Sequence, residues 1–184
     1  MKKIFVLLLL LINYSVFSQE LISKNPSFQN GLTDWEYGVA SLDGGNDVPD
    51  AEFTVLNEGH NDSSGCKVKV KISTDSGNLN DVYLVKRSLV LKKGKKYRVR
   101  FYIKSNTRED KITTSIGSGT VPDLVLFTNR EMKFVGDNEW QKISFTFELP
   151  KSKDNMNYKD LMLMIGFNHR FGEFFVDNFS VTPL

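Results

Sequence analysis

Side chains able to do chemistry gather in three places along this chain. The run Tyr97-Arg98-Val99-Arg100-Phe101-Tyr102-Ile103-Lys104 alternates strictly, and in a strand successive side chains point to opposite faces. With Tyr97, Val99, Phe101 and Ile103 turned to a core, Arg98, Arg100, Tyr102 and Lys104 form one outward row. A phenol ring in such a row offers a flat π face to C–H groups. A guanidinium beside it can fork onto a hydroxyl pair or a carboxylate. The same row also reads as an ordinary solvated sheet face. In Leu161–Phe167, inward Leu161, Leu163 and Ile165 leave Met162 and Met164 outward, either as an apolar floor or beneath a covering loop. The segment Phe167-Asn168-His169-Arg170-Phe171 collects aromatic, amide, imidazole and guanidinium groups, the mix that rims a cleft, with a plain loop as the alternative.

Catalytic constellations are missing. There is no Gly-x-Ser-x-Gly elbow, no His-Glu-x-x-His and no phosphate loop. A glycosidase needs two carboxylates flanking a bond, and none of the 22 acidic residues is singled out by its context. A lyase would need a Tyr or His base beside neutralising Arg or Lys, for which His169, Arg170, Tyr102 and Arg100 are the candidates. One cysteine, Cys66, and two histidines, His60 and His169, argue against a zinc centre of the multi-Cys or His-rich type. Cys66 reads as a buried, inert thiol at a strand start, or as the partner in an intermolecular disulfide.

These groups need elements to hold them. Residues 1–18 read as a signal peptide: basic Met1-Lys2-Lys3, an apolar run Ile4 to Ile12, then Val16-Phe17-Ser18 before Gln19. The apolar run is short of the roughly 20 residues that span a bilayer, and no second long one follows. The mature chain, 19–184, is expected to be exported, extracellular or periplasmic, without a permanent membrane anchor. Removing Lys2 and Lys3 leaves 22 basic against 22 acidic residues, which gives no support for nucleic-acid binding by bulk charge. Beyond residue 19 the pattern is period-2 alternation broken by turn clusters such as Asn61-Asp62-Ser63-Ser64-Gly65, Lys93-Gly94-Lys95 and Gly136-Asp137-Asn138. Strands are expected at 51–56, 67–72, 82–91, 97–104, 111–116, 124–127, 143–147, 161–167 and 174–181. Many short strands with such turns predict a single all-β sandwich or barrel. In 82–91 simple alternation with Leu89 and Leu91 inward also sends Tyr83 and Arg87 inward, which calls for a bulge.

Several phrases then resemble the carbohydrate-binding modules of families four, nine and twenty-two. Asn25-Pro26-Ser27-Phe28-Gln29-Asn30-Gly31-Leu32-Thr33-Asp34-Trp35 is similar to their opening N-x-x-F-E-x-G-L-x-x-W. Leu89-Val90-Leu91-Lys92-Lys93-Gly94-Lys95-Lys96-Tyr97 resembles L-x-L-x-x-G-x-x-Y, and Phe101-Tyr102-Ile103-Lys104-Ser105 resembles F-W-A-K-A. Trp140 with Phe145-Thr146-Phe147, and the closing Phe174-Phe175-Val176-Asp177-Asn178-Phe179-Ser180-Val181, complete the order. The resemblance implies a jelly-roll β-sandwich of two antiparallel sheets, with a glycan cleft on one outer face and core places for Trp35 and Trp140.

It further implies that the row Arg98, Arg100, Tyr102 and Lys104 lines that cleft; strand parity adds Met162 and Met164, and loop composition adds His169 and Arg170, as further ligand candidates. Three basic groups in the row point to an anionic polysaccharide or oligosaccharide. The resemblance also implies a structural Ca²⁺, anchored by Asp177 with Gln29 where the family has Glu. Calcium wants several hard oxygen ligands; the alternative is that Asp177 only bonds backbone amides at a bulge. The expected activity is non-catalytic glycan binding, with a structural or adhesive sandwich, or a small lyase or hydrolase, as the competing readings.

Overall fold

The computed structural model describes residues 21–22, 24–39, 50–72, 82–107, 109–119, 125–151, 158, 160–167 and 171–184. The expected signal peptide 1–18, its cleavage point, and His169 and Arg170 lie outside the described residues. Ten strands follow one another: β1 Trp35–Val39, β2 Asp50–Leu56, β3 Gly65–Ile72, β4 Val82–Leu89, β5 Lys96–Ser105, β6 Glu109–Ser118, β7 Val125–Val135, β8 Gln141–Glu148, β9 Leu161–Gly166 and β10 Gly172–Pro183. They make two five-stranded antiparallel sheets, β1-β4-β9-β6-β7 (sheet A) and β2-β3-β10-β5-β8 (sheet B).

One face of each sheet supplies the core, because apolar residues recur at every second position of nearly every strand. Val68 and Val70 of β3, Val99, Phe101 and Ile103 of β5, Ile143, Phe145 and Phe147 of β8, and Phe174, Val176, Phe179 and Val181 of β10 turn in from sheet B. Val82, Leu84 and Leu89 of β4, Ile112 and Ile116 of β6, and Leu161, Leu163 and Ile165 of β9 meet them from sheet A. At the heart Phe179 touches three rings: Phe101 at 5.0 Å, Trp35 at 4.7 Å and Phe28 at 6.0 Å.

The opening turn explains its own sequence. Asn25 Nδ2 donates to Gly31 O (2.9 Å) and Thr33 O (2.7 Å), while Asn25 Oδ1 accepts from the Asn30 amide at 3.0 Å. Gly31, at φ 64°, supplies the left-handed bend. Phe28 and Trp35 fall into the core, and the indole N–H donates to Asn25 O at 2.9 Å. The expected turn residues Asn61, Asp62, Gly94 and Asn138 all carry positive φ. The bulge expected in β4 sits at Ser88, whose φ is 61°; the register slips between Lys86 and Leu89. That slip lets Leu89 face inward while Tyr83 faces out.

Three expectations are corrected. β1 was not anticipated, and β7 runs eleven residues rather than four. Trp140 is half-buried outside the core, edge-on to His60 at 5.9 Å. Cys66 is buried and unpaired, as the inert reading has it, and burial pushes its thiol up to about 12.

Candidate functional site

Residues paired across antiparallel strands share a face, so register shows what each outer face carries. On sheet A, Met164 lies between Val85 and Ser115, and Met162 is opposite Gly117. Val85, Met162 and Met164 form a small apolar cluster separate from the core, with Tyr83 packed against it. All three are about 1% exposed although they point away from the sandwich centre. Around them the outward positions are small: Gly38, Thr113, Ser115, Gly117 and Gly166. At that exposure the three side chains are covered, not an open floor, which is the second of the two readings of Met162 and Met164.

The larger side chains around this cluster are polar. Tyr83 lies over Gly38, where a methyl group would come 3.0 Å from Tyr83 Oη. Arg87 donates to Glu36 Oε2 (2.6 Å) and to Gly119 O (2.9 Å). On the far side Ser115 Oγ donates to Asn129 Oδ1 at 2.9 Å. Lys86 turns the other way at the β1 edge and is buried. Its ammonium donates to Asp34 O (3.0 Å) and lies 5.2 Å from the Trp35 ring; burial holds its pKa below the ordinary lysine range.

Arg98, Arg100, Tyr102 and Lys104 do form one outward row, but β5 belongs to sheet B while β4 and β9 belong to sheet A. The eight anticipated ligand residues therefore do not line one cleft. Met162 and Met164 face away from the basic row, across the full thickness of the sandwich. Nor is the Tyr102 ring an open platform: His60 stacks on it at 3.6 Å with planes 14° apart. The Lys104 ammonium is 4.6 Å from the Phe175 ring and 5.2 Å from the Trp140 ring. Of the anticipated rim loop, Phe167 is core and Phe171 is exposed.

Asp177 is fully buried at a β10 bulge, where Asn178 adopts φ 53°. Its Oδ2 accepts from the His60 amide at 2.8 Å and from the Ser63 hydroxyl, and its Oδ1 accepts from the Asn178 amide at 2.6 Å. Burial pushes its pKa up, and these donors pull against that shift. The Asn178 side chain is held in turn by Ser27 Oγ at 2.6 Å. Both carboxylate oxygens thus face N–H or O–H donors, whose positive ends repel a cation. Gln29 is exposed on its turn. Among the described residues no three His, Cys, Asp or Glu side chains converge. The donors make a carboxylate latch that closes the 57–64 loop over β10, and the calcium expected at Asp177 and Gln29 would have to displace them. Amide bonding at a bulge was the alternative reading of Asp177; the loop that supplies His60 and Ser63 was not foreseen, because it lies more than a hundred residues away in sequence.

A family model described as "Carbohydrate binding domain" matches residues 21–158. No curated protein matches the chain. Among solved structures, one described as "CBM4 structure and function" superposes with a TM-score of 0.63 at 18% identity, covering 94% of this chain and 99% of that one. The CBM22-1 xylan-binding domain of Paenibacillus barcinonensis Xyn10C gives 0.60 at 15% identity, over 90% and 95%. TmCBM61, in complex with beta-1,4-galactotriose, gives 0.59 at 16% identity, over 91% and 100%. At these identities the likeness to solved structures is one of fold. No helix among the described residues is long and apolar enough to cross a membrane.

Proposed function

This chain belongs to the carbohydrate-binding domain family, and we propose that it holds a polysaccharide or oligosaccharide strand along the outer face of sheet A, in a trough bounded by Tyr83, Arg87, Glu36 and Asn129. The observation that carries this reading is the apolar cluster of Val85, Met162 and Met164 on the outer side of sheet A, capped by Tyr83 and set among glycine, serine and threonine. A sheet face meant only for water carries charges and hydroxyls at such positions. Tyr83, half-buried and packed on that cluster, is the ring a flat sugar face would meet. Arg87, Glu36 and Asn129 are placed to exchange hydrogen bonds with ring hydroxyls.

The reading is non-catalytic. Glu36, the acid of the β1 wall, is tied to Arg87, and Glu131 on β7 is tied to Lys111 at 3.1 Å. Both carboxylates are engaged in ion pairs. The chain acts after export, with residues 1–18 removed.

Affinity electrophoresis through gels containing xylan, β-glucan or galactan tests the trough. Tyr83→Ala should weaken retardation about tenfold, the equivalent of about 1.4 kcal/mol, with an unchanged melting temperature. Asn129→Ala should weaken it less. Retardation of the wild type that survives both substitutions would remove the trough from the reading.

A further inference from the structure

We propose that the outer face of sheet B carries a second, independent binding surface, for an acidic polysaccharide bearing uronate or sulfate groups, centred on Arg98, Arg100 and Lys142.

The argument starts from how this face handles its charges. On the β2–β3 half, lysines have acids within reach: Lys67 to Glu173 at 2.8 Å, Lys69 to Glu173 at 3.9 Å, Lys71 to Asp50 at 3.6 Å and also to Glu52. On the β5–β8 half the pattern stops. Glu148 pairs with Lys96 at 3.8 Å, whereas no ion pair among the described residues involves Arg98, Arg100 or Lys142.

Their neighbours across the strands are hydroxyls. Arg100 stands between Ser180 and Ser144, and Arg98 between Thr182 and Thr146. A hydroxyl neutralises nothing, but it donates to and accepts from a sugar hydroxyl or an acid oxygen. Near-neutral composition makes the local excess meaningful: acids are nearly as numerous as bases in the chain, yet the one acid on the outward positions of β5 and β8, Glu148, is paired with Lys96. Solubility alone would be served equally by the mixed-sign pattern on the other half of the same sheet.

Spacing favours a polymer over a small acid. Arg98 and Arg100 are about 6.8 Å apart along the strand, and Lys142 lies diagonally from Arg100 one strand over, about 4.8 Å away in the pairing direction. A chain with repeating acid groups meets several of these cations at once, whereas a lone carboxylate meets one. Guanidinium forks suit carboxylate and sulfate oxygens, and Lys142 adds a less directional charge. Tyr102 and Lys104 take no part, since His60 and the rings of Trp140 and Phe175 occupy them. The surface stands whether or not the trough holds a glycan.

The test uses the full chain as wild type, Arg98→Ser/Arg100→Ser, Lys142→Ser and Tyr83→Ala, run in native gels containing polygalacturonate, carrageenan, xylan or no polymer. Runs are made at about 0.01 M and about 1 M salt, where screening lengths are about 30 Å and 3 Å. The wild type should be retarded by an acidic polymer at low salt and released at high salt. The double variant should lose about tenfold or more of that affinity, because each exposed ion contact is worth a factor of about two to five, and Lys142→Ser should lose less. Tyr83→Ala should keep its acidic-polymer retardation whatever happens in xylan gels, which separates this surface from the trough. The proposal is overturned if no acidic polymer retards the wild type, if the folded double variant binds as the wild type does, or if Tyr83→Ala abolishes acidic-polymer binding. Equal binding of the wild type to duplex DNA or to phosphatidylserine vesicles would overturn it too, by making the strip a general polyanion surface.

Discussion

Replacing Asp177 by alanine separates a hydrogen-bonded latch from a metal anchor. The carboxylate is fully buried and accepts from the amides of His60 and Asn178 and from the Ser63 hydroxyl. The hydroxyl has an alternative acceptor, His60 O at 2.7 Å, so the variant orphans two amides. Each buried unsatisfied donor costs about 1–3 kcal/mol. Relief of the desolvation that raises the Asp177 pKa returns part of that sum, leaving a net loss of about 2–4 kcal/mol. For a domain of this size each kcal/mol shifts the melting temperature by about 2–4 °C, so Asp177→Ala should melt about 5–15 °C below the wild type. Chelator should leave the wild-type melting temperature unchanged. A structural Ca²⁺ present at a hundredfold over its Kd would instead contribute about 2.7 kcal/mol, a drop of similar size on chelation. Differential scanning calorimetry of both proteins, with chelator and with added Ca²⁺, decides. If chelator destabilises the wild type and not Asp177→Ala, the latch argument fails and the metal returns.

Other expectations come from equally local features. Gly136→Ala should destabilise by about 3 kcal/mol or more, read in urea melts, because a methyl group there would fall 1.2 Å from Thr107 O; a neutral effect would mean the two segments are not in contact. Phe179→Ala should cost about 3–5 kcal/mol, since that ring meets Phe28, Trp35 and Phe101. Cys66, with its thiol pushed up to about 12, should resist a thiol reagent at neutral pH until the protein is unfolded; fast labelling of the native protein would contradict its burial. Asp177 titrates with a raised native pKa, so its contribution favours the fold below the unfolded value near 3.8 and is lost as pH climbs through the native value. The stability of wild type minus Asp177→Asn should therefore fall with rising pH across that window, and a rise would show the donors outweighing burial.

Much of the strand layout was legible because alternation is a local signal. The β5 row faces outward as read, and imperfect alternation in β4 foretold the bulge now seen at Ser88. Two elements hid for physical reasons. β1 is an edge strand in which Tyr37 and Val39, the positions that share the core-facing parity of Trp35, are both exposed. β7 is the opposite edge of the same sheet, and most of its positions are exposed or half-buried. Sheet membership was beyond reach of periodicity altogether. Alternation says which residues share a face of one strand, whereas β4 finds β9 some eighty residues on, through non-local pairing. Hence Met162 and Met164 were rightly turned outward and wrongly joined to Arg98 and Arg100. The His60 ring that occupies Tyr102 arrives from a loop about forty residues upstream, with no motif to announce it.

The two sheets stand back to back, so their outer faces look in opposite directions. A polysaccharide strand stiff enough to lie straight along one face cannot also double round to the other. The geometry therefore rules out avidity along a single chain. A molecule engaged on both faces is a divalent cross-link between two different polymers, and its effect would show in the elastic modulus of a mixed gel sooner than in affinity for either component.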